Sequence, residues 1–274
     1  MELQRRYAEI RKQGLGLIAI SYDSPEILKQ FADSRGITFP LIADRDSAII
    51  RSFGILNQSE TPGSRGYGIP YPGTFIINRD GTVASRFFED AYQERNTTSA
   101  ILSKLGATSG AQVAVATTAH LSLSASISDT TASPGQRLSI VVDVTPQRGI
   151  HVYAPGKHDY QVVRLVLGPV AVGSDGQQWV RIHDTVYPPS EIYHFKPLDE
   201  RVAVYMKPFR LRTDLTLLAT PEAQKQLVAA SPLTVSGAFE YQACDDKVCF
   251  APARVPVSFT IAVSPLDRKP PGGN

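Results

Sequence analysis

The pattern of apolar and polar positions changes character near residue 105. Before it, helical and strand-like stretches alternate. Leu3, Tyr7 and Ile10 recur at helical spacing, and Gly14 is placed to end that helix. The run 15-LGLIAISYD-23 is apolar and of strand length, as a strand buried on both faces should be. Ser24 then stands as a cap and Pro25 at the first helical position. Ile27, Leu28 and Phe31 mark the helix face, and Gly36 is its stop. A second strand-like piece, 38-TFPLIAD-44, precedes a short helix over 46–53 closed by Gly54. The stretch 73-GTFIINRDGTVASRFF-88 reads as two strands around an Arg-Asp-Gly turn, and a last helix spans 98–105. The order α-β-α-β-α-β-β-α is that of an α/β domain, here over 1–105.

Residues 106–118 are small and weakly patterned, as a linker would be. Beyond them the period becomes two. Strand signals recur at 120-HLSLSASI-127, 137-RLSIVVDVTP-146, 161-QVVRLVLGPV-170, 201-RVAVYM-206, 231-SPLTVSGAFEYQA-243 and 254-RVPVSFTIAV-263. Leu121, Leu123, Ala125 and Ile127 alternate with serines, and Pro and Gly punctuate the gaps. One helical piece, 221-PEAQKQLVA-229, interrupts. Short alternating strands between turn signals predict an all-β sandwich over 119–263. The tail 264–274, rich in Pro and Gly, is expected to be disordered. No internal repeat stands out.

At 274 residues the chain suits two domains better than one. Its net charge of +2, with basic residues scattered, makes no electrostatic case for a nucleic-acid partner. No run reaches the roughly 18 apolar residues that a membrane helix needs. The opening MELQRRYAEIRKQ is charged and amphipathic, unlike a secretory signal.

Both cysteines lie in 239-FEYQACDDKVCFAPARVPV-255, as Cys244 and Cys249. Three readings compete. A structural disulfide closing so small a loop stabilises by only about 2 kcal/mol on the loop-entropy model. Bridges in sandwiches usually tie distant strands instead. A metal site needs three or four ligands, which two cysteines do not supply. A redox pair working by thiol–disulfide exchange is the reading favoured over these two. It calls for no cofactor. Asp245 and Asp246 would raise the thiol pKa and Lys247 would lower it. The histidines His120, His151, His158, His183 and His194 read as ordinary surface or packing residues. His151 and His158 flank a turn without a third ligand at sensible spacing. The segment 61-TPGSRGYGIPYPG-73 follows no GxGxxG pattern and is a loop rather than a nucleotide site. Of the sandwich aromatics, Tyr153 and Tyr241 are the two expected near the cysteines.

Two resemblances sharpen this reading. ELQRRYAEIRKQGLGLIAISYDSPEILKQFADSRGITFPLIAD together with GIPYPGTFIINRDGTV resembles the thioredoxin-like AhpC/TSA peroxiredoxin family. The resemblance implies a cis-proline at Pro72, after Tyr71. In that family a strand and an active-site cysteine precede the helix with which this chain begins. No cysteine occurs before Cys244, so the first domain as written lacks the nucleophile of that chemistry. The expectation is a start assigned too late, or a truncated gene.

YQACDDKVCFAP followed by VPVSF resembles the immunoglobulin-like N-terminal domain of the thiol reductant carrier DsbD, over about 118–264, and GIHVYAPG upstream fits as well. The cysteine spacing is slightly tighter here. The resemblance implies a covering loop within 188-PPSEIYHFKPLDERVAVY-205, with Phe195 as the cap over the cysteines, and Cys249 as the sulfur that joins a mixed disulfide. Phe195→Ala should then speed reaction with small oxidants. Together the two resemblances imply a thiol–disulfide oxidoreductase that passes reducing equivalents to a thioredoxin-like or peroxiredoxin-like partner, its own first domain included. The alternatives are a binding module with a static disulfide, or a peroxiredoxin-type antioxidant whose cysteine lies upstream of Met1. A cysteine pair of this kind suits the periplasm or another oxidising compartment, with a cytoplasmic home left open.

Overall fold

The computed structural model describes residues 2–64, 66–88, 94–106, 111–170, 173, 176–195 and 199–266. The chain divides into two compact units, Met1–Leu102 and Ser103–Leu266. The tail expected to be disordered lies, from 267 on, outside the described residues.

Unit 1 runs α1 (Glu2–Arg5), α2 (Tyr7–Lys12), β1 (Ala19–Ser21), α3 (Pro25–Arg35), β2 (Leu41–Ala43), α4 (Ala48–Ser52), β3 (Gly73–Ile77), β4 (Val83–Phe88), β5 (Arg95–Asn96) and α5 (Thr98–Lys104), the last crossing into unit 2. Local chemistry explains these elements. The Ser24 side chain accepts from the Ile27 N–H, Pro25 occupies the first turn of α3, and Gly36 leaves it at φ 61°. The helix carries the chain back so that β1 pairs β2 in parallel, Ala19 opposite Leu41. Asp44, buried after β2, caps α4 by accepting from Ile49 and Ile50 N–H at 3.1 and 2.8 Å. β3 and β4 form the antiparallel hairpin the sequence predicts, turning at Gly81 with φ 86°.

One expectation for this unit is corrected. The Tyr71–Pro72 peptide is trans, and among the described residues the cis bond is Ser231–Pro232. An X–Pro bond favours trans by about 0.5–1 kcal/mol unless packing imposes cis. Here Tyr71 N–H donates to the Ile55 carbonyl at 2.6 Å, and the chain enters β3 already extended.

Unit 2 contains β6 (Ala111–Thr117), β7 (Leu121–Ile127), β8 (Thr131–Ala132), β9 (Gln136–Pro146), β10 (His151–Tyr153), β11 (Arg164–Leu167), β12 (Val180–Ile182), β13 (Glu191–Phe195), β14 (Glu200–Tyr205), β15 (Phe209–Leu217), α6 (Pro221–Ala229), β16 (Leu233–Tyr241), β17 (Ala243–Cys244) and β18 (Ala253–Val263). Strands in the order β12-β15-β9-β7-β6 form one sheet and β11-β16-β18-β8 another. Their inward positions, among them Leu121, Ile140, Leu211, Phe239 and Phe259, share one core. The stretch read as a linker is, over Ala111–Thr117, strand β6 paired with β7. Its small residues form no core pattern alone, but its backbone completes the edge of that sheet. A third sheet, β13-β14-β10-β17, carries Cys244. No helix among the described residues is long and apolar enough to cross a membrane.

Candidate functional site

β16 delivers the chain to the site. Tyr241 and Ala243 point into the main core, and Cys244, one step on, points the other way, as the two-residue period of extended chain requires. Cys244 on β17 lies opposite His151 on β10. The chain then reverses in a tight loop. Asp245 N–H donates to the Val248 carbonyl at 3.0 Å, and Phe250 N–H to the Ala243 carbonyl at 2.9 Å. The Asp245 carboxylate accepts from Lys247 and Val248 N–H at 2.8 and 2.7 Å. Those two backbone donors hold the Asp245 carboxyl below the usual carboxylate range. The loop thus rigidified closes the Cys244–Cys249 disulfide, with Cα atoms 4.1 Å apart. Gln242 fastens its base, donating to the Phe250 carbonyl and accepting from Gln161 N–H, both at 3.1 Å.

The two sulfurs are not equivalent. Cys244 is 1 % exposed, in a cluster with Tyr153, Val202 and Val204, against which Tyr160 and Tyr193 pack. Cys249 is exposed, beside Val248, which is 53 % exposed. The Tyr153 hydroxyl lies 3.0 Å from the Cys244 Sγ and 3.3 Å from the Cys249 Sγ. Tyr160 stacks on Tyr153, ring centroids 4.1 Å apart and planes within 4°. Its hydroxyl donates to the Glu200 Oε2 at 2.6 Å. Burial, then the neighbouring Tyr160 hydroxyl, pushes the Tyr153 pKa well above the ordinary tyrosine value. The hydrogen bond to Glu200 raises that of Tyr160. His151 packs between Tyr153 and Tyr193, and burial lowers its pKa against the opposing pull of Asp245.

The structure brings together Cys244, Cys249, Tyr153 and Asp245 of the expected site residues. Asp246 and Lys247 sit exposed at the loop tip. One expectation is corrected, and the place of a second is given by the strand that carries it. Tyr241 is buried in the main core with its hydroxyl 3.0 Å from the Thr118 Oγ1, on the opposite face from Cys244. Phe195 is half-buried at the end of β13, and the residue of that strand packed on the Cys244 cluster is Tyr193, on the same face one pleat earlier. Residues 196–198 of the expected covering loop lie outside the described residues. Tyr160, Glu200 and Tyr193 belong to the candidate site without having been singled out, and His151, read as an ordinary surface or packing residue, lies opposite Cys244. The one trace of them in the sequence is their density, three aromatic rings and a carboxylate in two short segments that also flank polar turns.

Residues 1–86 match the AhpC/TSA family. Peroxiredoxin Bcp of Escherichia coli K12 is 32% identical over 79 residues, covering 29% of this chain and 50% of its own. The chain spans about half the length of the curated relatives it matches. Residues 1–86 are therefore similar to a thioredoxin-like domain of the AhpC/TSA type. Among solved structures, the N-terminal periplasmic domain of ScsB from Proteus mirabilis overlaps with 56% of this chain and 54% of its own at 13% identity and a TM-score of 0.38. The DsbD N-terminal domain of Neisseria meningitidis in its reduced form overlaps with 45% of this chain and 76% of its own at 14% identity and a TM-score of 0.28. Both overlaps are partial, and the sandwich architecture of unit 2 rests on its own strand pairing.

Proposed function

We propose that unit 2 is a thiol–disulfide exchange module that carries electrons through Cys244 and Cys249, with Cys249 as the sulfur that meets the partner. The observation that carries this is the asymmetry of the pair, one sulfur buried and the other open to solvent. A partner thiolate attacks the Cys249 Sγ, the Cys244–Cys249 bond breaks, and its electron pair leaves on Cys244 as a thiolate. A second partner thiol then displaces Cys249 and departs as an oxidised disulfide, leaving both cysteines reduced. Run backward with an oxidised acceptor, the same steps release the two electrons. The peroxiredoxin-type domain in the same chain supports a partner of thioredoxin-like fold, and an exposed exchangeable disulfide suits an oxidising compartment.

Equilibration in glutathione buffers followed by alkylation and mass spectrometry tests the reading. A potential in the carrier range, about −180 to −270 mV, is expected. A bond that stays closed below about −300 mV would make it a structural bridge in a binding module. Trapping tests the polarity. Cys244→Ser should accumulate a mixed disulfide on Cys249 with a thioredoxin-fold partner, and Cys249→Ser should accumulate far less. Equal trapping would reject Cys249 as the entry point.

A further inference from the structure

The exchange reading leaves one problem unsolved: the leaving sulfur is the buried one. When Cys249 is attacked, a full negative charge develops on Cys244, which water does not reach and which valines flank. An unpaired buried charge of this kind is strongly unfavourable. We propose that Tyr153 is a catalytic hydrogen-bond donor whose hydroxyl holds the departing Cys244 thiolate, with Tyr160 and Glu200 as the positioning residues that keep it there. The proposal rests on the exchange reading above and names the group that makes its first step feasible.

The geometry supplies the argument. In the disulfide neither sulfur carries a hydrogen, so the Tyr153 O–H is the donor in both contacts, at 3.0 and 3.3 Å. A disulfide sulfur is a weak acceptor, whereas a thiolate is a charged one. The same contact is therefore weak before the bond breaks and strong as it breaks. An interaction that strengthens toward the transition state lowers the barrier, and a donor already in place needs no reorganisation. Tyr160 lies flat on the Tyr153 ring and spends its own proton on Glu200 at 2.6 Å, so it does not compete with Tyr153 as a donor to the sulfurs. Burial keeps Tyr153 protonated through the physiological range, so it donates a hydrogen bond without surrendering its proton. The proton that finally neutralises Cys244 comes from the incoming thiol or solvent as the reduced pair forms. The other titratable groups around the pair are His151 beside Cys244, His158 packed on Tyr153 and Tyr160, Tyr193 on β13, and Asp245, Asp246 and Lys247 in the loop. Of these, burial lowers the His151 pKa and Asp245 is engaged by the backbone.

The test is the rate at which dithiothreitol reduces the oxidised full chain between pH 6 and 9, in wild type and Tyr153→Phe, which keeps the ring. The variant is expected to react about 10- to 100-fold more slowly, the effect of removing one donor to a charged group. In the Cys249→Ser background, Tyr153→Phe should also raise the Cys244 thiol pKa, read from the pH dependence of alkylation, by about one unit. A merely structural tyrosine would lower the melting temperature and leave that pKa where it was. Tyr160→Phe keeps the stack and loses the tether to Glu200, so it should slow reduction less than Tyr153→Phe. A larger loss at Tyr160 would move the donor role there and overturn the proposal. Should Tyr153→Phe fail to fold, comparison of the Cys244 pKa in Cys249→Ser with and without Tyr160→Phe carries the test, and identical values overturn it. A wild-type bond that stays closed in glutathione buffers defeats the exchange reading itself. A wild-type bond that opens, with Tyr153→Phe opening equally fast, defeats only the role of Tyr153.

Discussion

Tyr193 stands on β13, the edge strand across the sheet from the β17 strand that holds Cys244. It packs on the Cys244 cluster and lies against His151 with ring centroids 4.5 Å apart. Removing it opens a path to the buried sulfur. Tyr193→Ala is expected to speed alkylation of the reduced pair by iodoacetamide several-fold, and Phe195→Ala to change it less. The reverse order in a stopped-time alkylation series would restore Phe195 as the cap. The sequence offers Phe195 as the cap, and the residue of β13 that packs on the Cys244 cluster is Tyr193. Phe195 and Tyr193 share a face two positions apart, and only the pairing of Tyr193 with Val202 on β14 sets which of them reaches the cluster. Tyr241 fails as a site residue for a related reason. It lies three positions from Cys244, an odd number, so the pleat turns them to opposite faces.

Strand register makes the site, and β16 is held in register on both of its edges. It pairs with β18 over nine residues, from Leu233 opposite Ile261 to Tyr241 opposite Ala253, and with β11 on its other edge. A one-residue slip would turn every inward residue of β16 outward and present Cys244 to the wrong sheet. Gly237 sits where β11 and β16 approach most closely. A Cβ there would lie 2.2 Å from the Val166 carbonyl oxygen and 2.9 Å from the Leu167 Cα. Backbone cannot yield as a side chain end would, so Gly237→Ala should destabilise unit 2 by about 1–3 kcal/mol, measurable by urea unfolding. No shift in midpoint would mean that the strands separate freely. At the N-terminus of α6, Thr220 accepts from Ala223 N–H at 3.2 Å, and Thr220→Ala should cost about 1 kcal/mol in the same assay. That helix and α3 are legible in the sequence because cap, first-turn proline and face lie within a few residues of one another. β15 is absent from the strands predicted above although its residues alternate, since Arg210, Arg212 and Asp214 make it look like a solvated segment. The structure shows why it is not one. Asp214 meets Lys104 at 2.8 Å and Ser139 at 2.6 Å under cover of other groups.

At the scale of the molecule, buried charge and buried histidine set the response to mutation and pH. Burial alone would raise the Asp214 pKa, but Lys104 and Ser139 outweigh it and hold it down, while burial lowers that of Lys104. Asp214→Ala leaves the Lys104 ammonium buried without its carboxylate and should cost about 3–5 kcal/mol in urea unfolding. A cost below about 1 kcal/mol would show that the pair is solvated in practice. His151 and His183 are both held below the ordinary histidine value of 6.5, chiefly by burial. The unfolded chain therefore binds protons that the folded chain refuses. Stability should be level above about pH 6.5 and fall as pH drops through and below it. Melting temperatures at pH 7.5, 6.5 and 5.5 check the sign, and a rise toward acid would contradict it. By itself the sequence determined the change from α/β to all-β texture, the caps and stops of α3 and α6, the hairpin at Gly81, and the cysteine pair as the candidate site. Each of these is written in neighbouring residues. Only the tertiary structure decided that Tyr71–Pro72 is trans, that Cys244 is buried while Cys249 is open, and that Tyr153 touches both sulfurs with Tyr160 and Glu200 behind it. Those contacts join residues 40 to 96 positions apart. Their meeting depends on the register and facing of whole strands, which no local pattern of residues encodes.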